Sequence, residues 1–128
     1  MIPSPFVSVT AFSTEIQEAF LEAGWHPGRQ ASEWNMTDYP PAIRALVLEW
    51  GGLTVEEAGG FVCFKPMGEP RRRFEKQIGG NLYSIGSTQD YWNICVDEAG
   101  LVYVIFDWME QVGNSFQEGM ALLLTGKD

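Results

Sequence analysis

The sequence predicts a single α+β domain with two N-terminal helices, a mostly antiparallel sheet of four to six strands and one C-terminal helix. Three observations predict this class. Apolar residues recur at helical spacing near both ends of the chain, and they form short aromatic and β-branched runs between those ends. The 128 residues, 45% of them hydrophobic, suit one core. Residues 1–128 are therefore expected to fold as one domain.

End signals place the two N-terminal helices. Thr14 and Gln17 have the spacing of a capping box, so a helix is expected over residues 14–23. Prolines in the segment 38–41 open the second helix, and Gly51 ends it. The buried stripe of this second helix is expected to consist of Ile43, Leu46, Val47 and Trp50.

The C-terminal helix has the same kinds of signal. Ser115 and Glu118 form a second capping box, and Gly126 is expected to stop the helix. Its apolar stripe consists of Phe116, Met120, Leu123 and Leu124.

Four strands are predicted where the apolar period changes to two. They are residues 60–64, 82–85, 91–96 and 101–106. The turn 97–100 joins the last two as a hairpin, because Gly100 readily adopts a left-handed conformation. The last strand is apolar at both parities, as expected of a strand covered on both sides or placed at a partner interface. The segment 66–80 receives no element.

The chain carries a strongly negative charge. Eight Lys and Arg against 17 Asp and Glu give a formal net charge of −9, which repels nucleic acids and anionic lipids and attracts a basic partner. The N-terminus lacks the pattern of a signal peptide, and no apolar run reaches transmembrane length. Cys63 and Cys95 lie in separate apolar segments without Cys-x-x-Cys spacing, so we expect two reduced thiols in the core. We therefore expect a cytoplasmic protein that binds neither nucleic acid nor membranes.

No constellation of residues predicts catalysis, a cofactor or a metal ion. His26 is the only histidine, and it lies beside Pro27 in a loop. Asp107 and Glu110 form a carboxylate pair that could serve acid–base chemistry, but a pair at a turn is ordinarily solvated surface charge. The sequence favours a binding protein over an enzyme, and a hydrolase using Asp107, Glu110 and His26 is the least favoured alternative.

One basic cluster interrupts the acidic composition. Residues 71–76 hold four cationic side chains around Phe74. The cluster has three interpretations: a solvated loop or short helix, a weak nucleic-acid patch, or a site for an acidic patch of another protein. The negative charge elsewhere favours the first.

The C-terminal half is uniformly acidic. Between Gln77 and Gly126 there is no Lys or Arg, and aromatic residues are interleaved with carboxylates. Aromatic residues inside an acidic rim are typical of contact surfaces for basic proteins. Trp92 and Phe116 are expected in the core. The predicted partner-binding residues are Asp90, Asp97, Glu98, Asp107, Trp108, Met109 and Glu110.

Short motifs along nearly the whole chain resemble a family of bacterial proteins. In order, they are segments 24–29 (Gly-Trp-His-Pro-Gly-Arg), 50–53 (Trp-Gly-Gly-Leu), 82–86 (Leu-Tyr-Ser-Ile-Gly), 97–100 (Asp-Glu-Ala-Gly) and the terminal Leu-Leu-Leu-Thr-Gly. They resemble the third group of the SUKH superfamily of immunity proteins. Ser84 stands where that family commonly has Pro, and we expect this difference to affect only strand-edge geometry.

The resemblance implies an α+β immunity fold, usually encoded beside a polymorphic secreted toxin, that holds the toxin's catalytic domain inactive. Such toxins are often basic nucleases or nucleic-acid deaminases. The resemblance implies structural roles for Gly24, Trp25, Arg29, Gly51 and Gly52, with Arg29 forming a local ion pair or capping backbone carbonyls. An alternative is a SUKH scaffold for a non-toxin cellular partner, and the protein is expected to be a monomer or a homodimer.

Overall fold

An antiparallel sheet with helices on both faces forms the protein in the computed structural model, which describes residues 6–31, 38–57, 60–67 and 72–125. The helices are α1 (Thr14–Ala23), α2 (Pro41–Trp50), α3 (Arg72–Ile78) and α4 (Phe116–Thr125), and a short 3-10 turn (Val9–Ala11) precedes α1. The strands are β1 (Thr54–Glu57), β2 (Gly60–Cys63), β3 (Tyr83–Ser87), β4 (Asn93–Val96), β5 (Val102–Ile105) and β6 (Met109–Val112). The predicted α+β class is confirmed.

The sheet is a meander in which every strand pairs with its neighbour in the chain. Its order is β1-β2-β3-β4-β5-β6, and each pairing is antiparallel. Successive turns must therefore alternate between the two ends of the strands. The turns 88–92 and 106–108 lie at one end of β4 and β5, and the turn 97–100 lies at the other.

The main core lies between one face of the sheet and helices α1, α2 and α4. Trp50 is at its centre, since its rings lie 4.9 Å from Phe20, 5.3 Å from Phe64 and 5.7 Å from Phe116 between centroids. All four residues of the predicted α2 stripe are buried, as is Phe116. Aromatic side chains bury a large apolar area, so this cluster supplies much of the driving force for folding.

A second, smaller cluster covers the opposite face beneath α3. It contains Phe74 from α3 together with Cys95 from β4 and Tyr103 and Ile105 from β5. All four residues of β5 are buried, and the side chain of Val102 belongs to the main core. The strand that is apolar at both parities is therefore covered on both faces.

Two helix starts show how local hydrogen bonds set the boundaries. Ser13, and not Thr14, caps α1, because its Oγ accepts from the backbone N–H of Ile16 at 3.4 Å. The predicted capping box of Thr14 and Gln17 is therefore wrong, although α1 has the predicted bounds 14–23. At α4 the predicted cap residue is confirmed, since the Ser115 Oγ accepts from the Glu118 N–H at 3.1 Å. The expected stop at Gly126 lies outside the described residues.

Three elements were not predicted: β1, α3 and β6. α3 occupies part of the unassigned segment 66–80, and Phe74 is buried while Arg72 and Lys76 are exposed. The basic cluster is thus a short helix over its described part, in agreement with its favoured interpretation.

Ser84 corrects a prediction about strand geometry. β3 is an interior strand, and Ser84 is buried in it, so the residue does not shape a sheet edge. Its Oγ accepts from the Met67 N–H at 2.8 Å and donates to the Asn93 Oδ1 at 2.6 Å. Proline has no hydroxyl and could form neither bond.

The described parts of the chain contain no helix with both the length and the apolar composition that a membrane span requires.

Candidate protein-interaction surface

The two motifs that follow α1 and α2 meet at a single carboxylate. The indole N–H groups of Trp25 and Trp50 both donate to the Glu49 Oε2, at 3.0 and 2.9 Å. Arg29 donates from a guanidinium nitrogen to the Glu49 backbone oxygen at 2.9 Å. That carbonyl lies in the last turn of α2, where backbone oxygens have no partner within the helix. Arg29 therefore caps a backbone carbonyl, which is one of the two roles expected for it.

Glycines fix the direction of the chain after both helices. Gly24 ends α1 with φ 108°, and its N–H donates to the carbonyls of Phe20 and Leu21. After α2 the left-handed residue is Gly52, with φ 86°, whereas Gly51 has φ −58°. The Gly52 N–H donates to the Phe64 oxygen at 2.7 Å and so ties the end of α2 to the sheet. The motif residues Arg29, Gly24 and Gly52 therefore hold the ends of α1 and α2 in place.

Glu49 is a site residue that sequence reasoning missed. The sequence did hold one signal for it. A buried indole N–H needs an acceptor, and Glu49 is the carboxylate next to Trp50.

The predicted partner-binding residues fall into two groups at opposite ends of β4 and β5. Asp97 and Glu98 lie in the turn 97–100. Asp97 serves that turn, because its Oδ1 accepts from the Leu101 N–H at 2.9 Å and its Oδ2 accepts from the Tyr103 hydroxyl at 3.2 Å. Glu98 is exposed and accepts from the Tyr83 hydroxyl at 3.3 Å.

The other group lies at the opposite end, which we call the aromatic end and define as the turns 88–92 and 106–108. Asp90, Asp107 and Trp108 are exposed here. Met109 and Glu110 begin β6 directly after it, where Met109 is half-buried against the second cluster and Glu110 is exposed. The structure thus brings these five residues to one region and leaves Asp97 and Glu98 apart from them.

Exposed aromatic side chains concentrate at the aromatic end. Tyr91 is 78% exposed, Phe106 49% and Trp108 41%, and they are three of the five large hydrophobic residues that are exposed in the described chain. Trp92 was expected in the core but is half-buried, and its ring meets Trp108 edge to face at 5.1 Å. A clustered apolar surface beside carboxylates marks a binding site more strongly than scattered exposure does.

Phe106 and the exposure of Tyr91 are the features of this surface that the sequence left unassigned. Phe106 reads as the last residue of an apolar strand, but β5 ends at Ile105. Tyr91 reads as the first residue of a strand, but it has φ 64° and is the only described non-glycine residue with positive φ.

The buried thiol of Cys95 is not activated as a nucleophile. Burial raises the pKa of the Cys95 thiol well above its usual range, and a nucleophilic cysteine needs the opposite shift. His26 is exposed in the loop after α1, with its Nδ1 3.0 Å from the Pro27 oxygen. The described residues contain no group of three or more His, Cys, Asp or Glu side chains placed to hold a metal ion.

The fold is that of a small α+β domain, and most of its exposed large hydrophobic residues in the described chain lie at the aromatic end. The model of the SUKH-3 immunity protein family matches residues 12–126, so the chain belongs to that family. No curated protein and no solved structure matches the chain significantly. The family match confirms the resemblance seen in the motifs and supports a role in immunity.

Proposed function

We propose that this protein is an intracellular immunity protein that binds and neutralises a cognate toxin domain by occlusion. The toxin is a polymorphic secreted protein whose catalytic domain is basic, such as a nuclease or deaminase. The immunity protein performs no turnover itself. The family match carries this proposal, because it covers residues 12–126 and therefore almost the whole domain.

Charge and surface chemistry support a basic partner. The net charge of −9 gives a long-range field that attracts cations. Asp90, Asp107 and Glu110 place part of this charge beside exposed aromatic rings. Charged groups at an interface chiefly raise the association rate, whereas buried aromatic anchors slow dissociation. The aromatic end offers both kinds of residue.

The two groups of predicted contact residues then have different roles. We assign direct contact to the aromatic end and to Met109 and Glu110, which follow it in β6. Asp97 and Glu98 lie at the opposite end of β4 from the aromatic end. We therefore assign to them a contribution to the long-range electrostatic field and no direct contact with the toxin.

The test is co-expression with the toxin domain encoded by the neighbouring gene. Cells that produce the toxin domain together with this protein are expected to survive, and the two proteins are expected to purify as a complex. The matched control is the same toxin co-expressed with an immunity protein of the same family from a different toxin locus, which should not protect.

Death of the cells despite equal amounts of folded protein, with no complex formed, would contradict the proposal. A stable complex with a non-toxin cellular protein in the same cells would favour the scaffold alternative.

A further inference from the structure

Tyr91 is held in a backbone conformation that disfavours its own side chain. Its φ of 64° lies in the left-handed region, where the Cβ of an L-residue crowds the backbone and glycine is the preferred residue. Bulky residues rarely occupy this region unless the surrounding structure or a function demands it.

A second turn in the same protein shows what the fold itself requires at this position. In the turn 97–101, the Gly100 N–H donates to the Asp97 oxygen at 3.1 Å, and the Asp97 N–H donates to the Leu101 oxygen at 3.1 Å. The Leu101 N–H completes the turn by donating to the Asp97 side chain at 2.9 Å. Gly100 has φ 90°.

The turn 88–92 repeats each of these bonds. The Tyr91 N–H donates to the Thr88 oxygen at 3.0 Å, and the Thr88 N–H donates to the Trp92 oxygen at 3.0 Å. The Trp92 N–H donates to the Thr88 Oγ1 at 3.2 Å. Tyr91 therefore occupies the position that Gly100 occupies in the other turn.

Packing of the Tyr91 side chain does not offset the backbone strain. Tyr91 is 78% exposed, the highest value among the exposed large hydrophobic side chains of the described chain. A ring that stays in water contributes little burial energy to folding. The turn thus carries a strained, solvated tyrosine where glycine would serve the fold better.

The surroundings of Tyr91 indicate the chemistry of a partner. The neighbouring Asp90 is exposed, and Phe106 and Trp108 expose further aromatic surface at the same end of the sheet. Tyrosine and tryptophan faces attract ammonium and guanidinium groups, and adjacent carboxylates strengthen that preference. The net charge of −9 favours the same class of ligand.

We propose that Tyr91 is the anchor residue of the interface and that its ring receives a Lys or Arg side chain of the cognate toxin domain. This inference rests on the proposed function and deepens it. Tyr91 thus lowers the stability of the free protein and raises its affinity for the toxin domain.

The test compares variants of Tyr91 in stability and in binding to the toxin domain encoded by the neighbouring gene. Tyr91→Gly is expected to raise the midpoint of thermal unfolding by about 3 °C, because it removes the backbone strain. The same variant is expected to weaken binding by at least about tenfold, because it removes the ring. A higher unfolding midpoint together with weaker binding would show that Tyr91 serves the interface and destabilises the fold.

Two further variants separate the aromatic face from apolar bulk. Tyr91→Phe keeps the face and should bind within about threefold of the natural protein, whereas Tyr91→Leu keeps apolar bulk and should lose at least about fivefold. The matched control is Leu21→Ala, because Leu21 is 56% exposed on α1, which packs against β1, three strands from β4 in the sheet, and its replacement should leave binding unchanged.

The outcomes distinguish this inference from the proposed function. If the natural protein neither binds nor protects against the toxin, both fail. If it protects and Tyr91→Gly binds equally well, the anchor role alone is overturned. A lower unfolding midpoint for Tyr91→Gly would overturn the strain argument, and equal binding by Tyr91→Phe and Tyr91→Leu would overturn the assignment of a cation.

Discussion

At the scale of single residues, the Glu49 carboxylate joins the segments that mark the family. It accepts two indole N–H groups, from Trp25 and from Trp50, and the Trp50 side chain is only 1% exposed. An indole N–H that is buried without an acceptor loses the hydrogen bond that it makes with water in the unfolded chain. Glu49 therefore allows a tryptophan to lie at the centre of the core.

Removing this acceptor should destabilise the fold. Glu49→Ala is expected to lower the free energy of unfolding by about 2 kcal/mol, because both indole donors lose a charged partner. Glu49→Gln is the matched control, since its amide oxygen can still accept, and it should cost less than half as much. Urea denaturation at neutral pH measures both values, and equal losses for the two variants would count against this role.

Tyr39 makes the stability of the fold sensitive to high pH. Burial raises the pKa of its phenol from 10.0 to about 12, and its hydroxyl donates to the Ser84 oxygen at 2.7 Å. Between these pH values the unfolded chain has lost the phenolic proton while the folded chain retains it. The folded state binds more protons there, so its stability falls as the pH rises from 10 to 12.

The Tyr39→Phe variant should therefore lose less stability in alkali. At pH 8 it is expected to be less stable by about 1 kcal/mol, because the bond to Ser84 is gone. That deficit should shrink between pH 10 and pH 12, by no more than about 1 kcal/mol, since Tyr39 is half-buried and partly screened by solvent. Urea denaturation at pH 8 and at pH 11.5 gives the comparison, and a deficit that stays constant would refute the assignment.

At the scale of elements, α4 approaches the sheet so closely that its position depends on a glycine. A Cβ added at Gly119 would lie 2.9 Å from the Cβ of Val102 and closer still to the backbone oxygen of Val112. β5 and β6 therefore contact the helix backbone itself at this point.

This contact reverses the usual effect of replacing a helical glycine. Alanine inside a helix is normally favoured over glycine by about 1 kcal/mol. Gly119→Ala is instead expected to destabilise the protein by about 2 kcal/mol, because steric overlap must shift the helix or the strands. Gly80→Ala is the control, since its added Cβ would meet nothing within 4 Å, and it should change stability little. Thermal unfolding of both variants decides, and a gain in stability for Gly119→Ala would exclude the close contact.

Helices and strands could be predicted from the sequence where their buried residues recur at regular spacing along one side. α2 shows this, because its stripe from Ile43 to Trp50 faces one core. β6 was missed because Met109 to Val112 form an edge strand with two exposed residues, so no alternation is visible in the sequence. The short helix α3 was missed because the buried Phe74 and the half-buried Ile78 stand among charged residues, and only the sheet beneath the helix explains their burial.

At the scale of the whole molecule, the negative charge is not gathered at one end of the sheet. The sequence shows that the C-terminal half is acidic, but only the meander reveals that Asp90 and Glu98 lie at opposite ends of the strands. The four residues of β4 alone separate these ends by about 13 Å. This exceeds the Debye length of about 8 Å at physiological ionic strength.

Charge removal at the two ends should therefore differ with salt. At about 10 mM salt, where the Debye length is about 30 Å, Asp90→Asn and Glu98→Gln should both slow association with the toxin domain. At about 150 mM salt, only Asp90→Asn should still slow it, by about twofold. Stopped-flow association rates at both salt concentrations provide the measurement. Equal slowing by the two variants at the higher concentration would contradict contact at the aromatic end.

The edge-to-face contact of Trp92 and Trp108 has an optical consequence. The two indoles belong to different hairpins, and their centroids are 5.1 Å apart with an interplanar angle of 72°. Transitions of two chromophores at such a distance and angle couple, so the pair should give an exciton couplet in circular dichroism that neither indole would give alone. The couplet would therefore report, without any added label, whether the turns 88–92 and 106–108 are in contact.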